Sequence, residues 1–138
     1  MKLKIQRLDK GLPLPEYKTA GAVGLDLYSA ETKIIGKFVT VKVRTGIAIE
    51  LPPGYEAQIR PRSSTSANGV IVHLGTIDSD YRGELLVIVS NHYSGLLRIE
   101  RGDRLAQLVI APIARAVLVE VEELAETGRG DGGFGSTG

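Results

Sequence analysis

The chain is predicted to be all-β, a jelly-roll-like β barrel ending in a flexible glycine-rich arm. Three observations predict this. Apolar and polar residues alternate in several short runs, at the period of two that half-buried strands require. Gly and Pro recur between those runs at short intervals. No long stretch carries an amphipathic helix pattern. At 138 residues the chain is one domain with enough length for a real core.

The elements follow in order. From Val39 to Leu51, Val39, Val41 and Val43 face one way while Thr40, Lys42 and Arg44 face the other. Gly46 interrupts, and Ile47, Ile49 and Leu51 resume the alternation. Pro52-Pro53-Gly54 is a turn. Tyr55 to Arg60 is the next strand. Val70 to Leu74 and Leu85 to Ser90 are short runs rich in β-branched residues, and Leu105 to Ile110 and Ala116 to Val121 complete the set. Ser63 to Ala67 is expected to form one helical turn with Ser or Thr as its cap. Ala111 to Glu126 has the Ala and Glu content of a helix, but Pro112 breaks its start and Val117-Leu118-Val119-Glu120-Val121 favours strand. The organisation is a barrel over residues 1–127 and an arm over residues 128–138.

Composition narrows the function. Hydrophobic content of 43% and charged content of 24% are ordinary for a soluble globular protein. A net charge of +1 argues against a nucleic-acid polymer as the main ligand, yet leaves room for a small phosphate compound held by a few placed residues. Without cysteine there is no disulfide framework and no thiolate metal site. The start, Met1-Lys2-Leu3-Lys4-Ile5, reads as no signal peptide, no run reaches membrane-spanning length, and a cytoplasmic location is expected.

Four internal segments carry chemistry. In Gly24-Leu25-Asp26-Leu27, a carboxylate stands among apolar residues and needs a partner, a metal-bound water or a substrate hydroxyl, unless it only stabilises a turn. In Arg60-Pro61-Arg62-Ser63-Ser64-Thr65-Ser66-Ala67, a strand ends and an Arg and hydroxyls stand at a helix start. That arrangement makes an anion site or an ordinary cap. In Gly75-Thr76-Ile77-Asp78-Ser79-Asp80-Tyr81-Arg82-Gly83-Glu84, a polar hairpin loop joins two apolar runs. Asp78 is its best candidate for a general base, because partial burial beside Ile77 would raise its proton affinity. In Arg101-Gly102-Asp103-Arg104-Leu105-Ala106-Gln107-Leu108, Gln107 is a polar residue within a strand. His73 and His92 lack ligand spacing to each other or to a carboxylate pair.

The last segment, Gly128-Arg129-Gly130-Asp131-Gly132-Gly133-Phe134-Gly135-Ser136-Thr137-Gly138, cannot hold regular structure by itself. Its glycines let N–H groups converge on an anion, Arg129 adds a bidentate donor, and Phe134 offers a plate for a flat ring. The expectation is an arm that closes over a nucleotide and crosses to another subunit.

Taken in this order, the five segments closely resemble the trimeric dUTP diphosphatase (dUTPase) family. The resemblance implies a jelly-roll-like barrel that assembles as a homotrimer, with active sites between subunits. It implies hydrolysis of dUTP to dUMP and pyrophosphate, with Mg²⁺ held through substrate phosphates and waters. It matches Asp78 to the water-orienting aspartate and Tyr81 to the residue that packs on deoxyribose and leaves no room for a 2′-hydroxyl. Asp26 matches the supporting first-motif carboxylate, Arg62, Ser63 and Ser64 the phosphate-binding turn, and Gln107 a phosphate contact. Arg129, Ser136 and Thr137 would grip the γ-phosphate, with Phe134 stacked on uracil and Gly135 beside it.

Three departures from the family pattern stand out. Ser64 occupies a position where many members have Gly. The stretch from Pro61 to Asp78 is shorter than in many members. The uracil-reading hairpin, Val72-His73-Leu74-Gly75, lacks the Asn of many relatives, so uracil is read by backbone groups there or by His73. Two rival functions remain: a dCTP deaminase, for which Glu84 or Glu56 would be the extra acid/base group, and a non-catalytic nucleotide sensor.

Overall fold

A computed structural model describes residues 1–135. Eleven strands and one short helix run in the order β1 (Lys4–Arg7), β2 (Leu25–Tyr28), β3 (Lys33–Ile35), β4 (Thr40–Arg44), β5 (Ile47–Glu50), β6 (Tyr55–Arg60), α1 (Ser63–Ala67), β7 (Val70–Val72), β8 (Gly75–Ile77), β9 (Leu86–Asn91), β10 (Leu97–Ile99) and β11 (Arg104–Pro112). A four-stranded sheet has the order β2-β11-β6-β8, and a three-stranded sheet the order β4-β9-β7. Two ribbons, β1-β5 and β10-β3, complete the jelly-roll-like fold, and every pairing is antiparallel. Among the described residues no helix is long and apolar enough to cross a membrane.

The strands form because alternate side chains have a common core to enter. Ala57 and Ile59 of β6, Val87 and Val89 of β9, and Val43 of β4 all point inward and are buried. Leu27, Ile35, Leu85 and Leu108 join them, so one apolar cluster draws on both sheets and both ribbons. Strand β11 departs from strict alternation at a bulge between Arg104 and Ala106 opposite β2. The bulge lets Leu105 and Ala106, adjacent in sequence, both be buried.

The alternation from Val39 to Leu51 divides at Gly46 into strands of different sheets, β4 with β9 and β5 with β1. Gly46 has φ +73°, a left-handed conformation that a side chain would strain, and a Cβ there would lie 2.8 Å from the Asp9 Cβ. The turns at residues 73–74 and 78–85 also differ from expectation. They are not hairpins, because β8 belongs to the four-stranded sheet while β7 and β9 belong to the three-stranded one. Each turn carries the chain between sheets.

The expected strand from Ala116 to Val121 does not form. Residues 113–127 form neither strand nor helix and are exposed, with Val117 at 90% and Leu118 at 91%. β-propensity makes no strand without a neighbouring edge to pair with, and within this chain none is offered. The last backbone bond to the barrel runs from the Ile113 N–H to the Gly54 C=O, 3.0 Å. The helical turn Ser63–Ala67 forms as expected, but Arg62 takes the cap position in an extended conformation and no side chain caps it.

Two polar anchors hold the loops. Asn91 is fully buried; its amide donates to the Ile35 and Gly95 carbonyls, both at 2.9 Å, and its oxygen accepts from the Tyr93 N–H at 2.8 Å. The second anchor is the ion pair of Arg101 with Asp9, which receives Nη2 at 3.0 Å. That guanidinium first, and the Gly11 N–H second, hold the Asp9 carboxyl down to about 2 from its ordinary 3.8.

Replacing Asn91→Ala strands the Ile35 carbonyl in the interior and leaves the part-buried Gly95 carbonyl and Tyr93 N–H without their partner, and urea unfolding is expected to show a loss of about 1–3 kcal/mol. The Asp9 value is depressed in the folded state, so its contribution is complete above pH 3.8 and is lost as pH falls through about 2. An NMR titration should place the Asp9 midpoint near 2, and Arg101→Ala should return it toward 3.8.

Candidate active site

The site is built from strand pairing. In the register of β11 with β2, Gln107 stands opposite Asp26; in its register with β6, Gln107 stands opposite Arg60. Asp26 is 8% exposed, and its Oδ2 has no hydrogen-bond partner. The nearest cation is Arg104, with Nη1 at 3.5 Å. Arg104 also accepts, through its carbonyl, a 3.1 Å bond from Arg62 Nη1.

Gln107 Nε2 donates to the Pro61 carbonyl at 2.9 Å. A primary amide has two N–H donors, so one remains for a ligand. Gly24 makes room for this side chain, since a Cβ there would lie 2.5 Å from Gln107 Oε1. Just beyond Pro61, Ser63 and Ser64 are exposed at the start of α1. One end of the four-stranded sheet therefore gathers a buried carboxylate, two arginines, an amide and two hydroxyls. Oriented N–H groups, guanidinium and hydroxyls suit an oxyanion-rich ligand.

The second group lies elsewhere. Gly75 sits on β8 opposite Ile59, and Ile77 sits opposite Ala57. Asp78 follows Ile77 and so lies toward the Glu56 end of β6. It lines a cavity of about 210 Å³ with Thr76, Ile77, Tyr81, Glu84 and Leu85. The Tyr81 hydroxyl donates to the Glu84 carbonyl at 2.9 Å, and the Tyr81 N–H donates to the Asp78 carbonyl at 3.1 Å. Asp78 is exposed in the single chain, contrary to the partial burial expected beside Ile77.

From Glu56 to Arg62 is six residues of extended backbone, roughly 20 Å at about 3.3 Å per residue. The two groups therefore occupy opposite ends of β6 within one chain. The ring of His73 is not among the residues lining the Tyr81 cavity; its Nε2 meets Ser90 Oγ at 2.7 Å, which in turn meets Thr40 Oγ1 at 2.6 Å.

The arm makes a third group. Arg129 Nε donates to the Gly132 carbonyl at 2.6 Å, and the Gly130 N–H donates to Thr127 Oγ1 at 3.0 Å. Phe134 is fully exposed with φ 52°. Gly135 follows it with φ 89°. Ser136 and Thr137, expected to grip a phosphate, lie outside the described residues. Among the described residues no cluster of three or more His, Asp or Glu is placed to hold a metal ion.

Sequence reasoning missed Arg104, Gly24 and Glu84 as parts of this architecture. Arg104 precedes Gln107 by three residues, a spacing that alternation sends to opposite faces, and the bulge between Arg104 and Ala106 alters that register. The role of Gly24 depends on a cross-strand neighbour distant in sequence.

Known proteins align with the whole chain. A dUTPase family model matches residues 10–138. The deoxyuridine 5′-triphosphate nucleotidohydrolase of Anaplasma marginale (strain St. Maries) is 53% identical, with 100% of this chain and 99% of that protein covered. The same-named protein of Hydrogenobaculum sp. (strain Y04AAS1) is 51% identical, with 100% and 99% covered. Among solved structures, the Staphylococcus bacteriophage 80alpha dUTPase with dUPNHPP superposes with a TM-score of 0.94 at 30% identity, covering 99% of this chain and 98% of that one. A mutant dUTPase of phage phi11 of S. aureus, described with a structural Mg(II) ion, superposes at 0.86 with 27% identity, covering 91% and 100%. At half identity along entire chains, and with the family model running through all five segments, the chain belongs to the dUTPase family.

Proposed function

We propose that this chain hydrolyses dUTP to dUMP and pyrophosphate at sites shared between the subunits of a homotrimer. The hydrolysis follows from membership of the dUTPase family and from relatives named as deoxyuridine 5′-triphosphate nucleotidohydrolases. The sharing rests on one observation: Asp78 and Tyr81 stand at one end of β6, and Arg62, Gln107 and Asp26 at the other. A single nucleotide does not bridge roughly 20 Å of sheet. Association of copies brings the two ends to one ligand.

In this reading Asp78 orients a water and takes its proton as the water attacks the α-phosphorus in line, and pyrophosphate leaves. Tyr81 packs on the deoxyribose. Arg62, Ser63, Ser64 and the free N–H of Gln107 receive the phosphate oxygens. Residues 128–138 form the closing arm of the barrel built by residues 1–127, with Phe134 on uracil, Gly135 beside it, and Arg129, Ser136 and Thr137 at the γ-phosphate. Uracil is read by the backbone near Gly75, and His73, held at Ser90, supports that turn.

Mg²⁺ fits this chemistry. It keeps several waters and binds through phosphate oxygens, neutralising charge on the triphosphate. Asp26 is the residue that would meet such a water, because its buried Oδ2 lacks a partner. The reaction limits uracil incorporation into DNA and supplies dUMP for dTMP synthesis, in a cytoplasmic setting. The deaminase alternative has less support, because Glu84 is engaged by the Gly46 N–H at 3.0 Å and Glu56 by Gln58.

Pyrophosphate release should be fast with dUTP and slow with UTP, dCTP and dTTP, and Asp78→Asn should lower the dUTP rate on the order of 10²–10⁴-fold. Full turnover by that variant would remove Asp78 as the base. A mixing experiment tests the shared site. Asp78→Asn and Arg62→Ala are each expected to be nearly inactive alone. Unfolded together and refolded, they should regain activity through sites that draw Asp78 and Arg62 from different chains. No recovery, with mixed trimers demonstrated, would place the whole site in one chain.

A further inference from the structure

Tyr81 sits on a turn with few ties to the barrel. Between Asp78 and Leu85 most hydrogen bonds are internal: the Tyr81 N–H to the Asp78 carbonyl, the Tyr81 hydroxyl to the Glu84 carbonyl, and Arg82 Nη1 to the Ser79 and Tyr81 carbonyls. The Arg82–Glu50 ion pair is long, at 3.8 Å, and exposed at both ends. Such pairs hold little.

One bond is different. Glu84 Oε2 accepts from the Gly46 N–H at 3.0 Å. A carboxylate accepting from a backbone amide is among the stronger hydrogen bonds. Its anchor is firm, since the Gly46 carbonyl accepts from the Leu8 and Asp9 N–H groups at 2.7 and 3.0 Å. Directly after Glu84, Leu85 is fully buried; its N–H donates to the Ile47 carbonyl at 2.9 Å, and Thr45 Oγ1 donates to its carbonyl at 2.6 Å. Glu84 is therefore the point where the fixed barrel meets the loose turn, and its own carbonyl holds the Tyr81 hydroxyl.

We infer that Glu84 is a positioning residue for sugar selectivity: by clasping Gly46 it fixes the carbonyl that holds Tyr81, and so sets how closely the Tyr81 ring approaches the pentose. The inference rests on the proposed role of Tyr81 in excluding a 2′-hydroxyl. A packed wall rejects added atoms only where its side chains do not give way. Without the clasp the Glu84 peptide keeps only the bond from the Leu85 N–H to the Ile47 carbonyl, pivots about it, and lets the ring give way so that a ribose is admitted.

The test is the ratio of kcat/KM for dUTP to that for UTP, measured by pyrophosphate release with the full chain. Glu84→Ala is expected to lower the ratio about tenfold or more, chiefly by raising UTP turnover. Glu84→Gln keeps an acceptor oxygen in the same place and is expected to hold the ratio within about twofold of the parent. Glu84→Asp, one methylene short, should behave like Ala. An unchanged ratio in Glu84→Ala overturns the inference. If that variant does not fold, equal ratios for Glu84→Gln and Glu84→Asp overturn it. A parent chain that releases no pyrophosphate from dUTP overturns the proposed function and this inference together, whereas a normal parent with an unmoved ratio overturns this inference alone.

Discussion

Strand β11 is hydrogen-bonded along both edges, to β2 on one side and to β6 on the other. That double pairing aligns Asp26, Gln107 and Arg60 across three strands, although they are far apart in sequence. A slip of one residue would turn Gln107 toward the core and put a leucine in its place opposite Asp26, since side chains alternate with every step. The buried Leu108 and Ala106 on either side of Gln107 oppose such a slip. Gly24 matters for the same reason, because the amide lies where any side chain at residue 24 would stand.

The site's division follows from topology. The chain leaves β6 through Arg62 and α1, crosses to the three-stranded sheet for β7, and returns to pair β8 with β6 in antiparallel register. The return delivers Gly75 near the end of β6 that leads to Arg62, and Asp78 at the opposite end. An antiparallel neighbour does not place its outgoing turn beside the partner's outgoing turn. The group around Arg62 and the group around Asp78 are thus separated by the same pairing that makes the sheet.

Local pattern made much of this legible. Tyr55 to Arg60 reads as a strand because its alternation meets a core on one face, and β6 has those bounds. The dense motifs around Asp26, Arg62, Asp78, Gln107 and Phe134 are legible because their residue types have few structural uses in combination. What was not legible depends on partners remote in sequence. The strands β3, β8 and β10 have three residues each, too few for alternation to register. The turn at Asp78 looks like a hairpin because its two flanking runs are apolar, and only tertiary pairing assigns them to different sheets. Ala116 to Val121 has strand composition but no edge within its own chain.

That unpaired stretch has a consequence for the order of biogenesis. Everything the barrel needs for its core lies before Ile113, so a nascent chain is able to complete its interior while the remaining residues are still inside the ribosome. Val117, Leu118 and Leu124 then emerge onto a finished body that gives them no shelter. In the single chain these side chains make an exposed apolar ribbon. Such a ribbon is open to chaperones and proteases however stable the barrel behind it is.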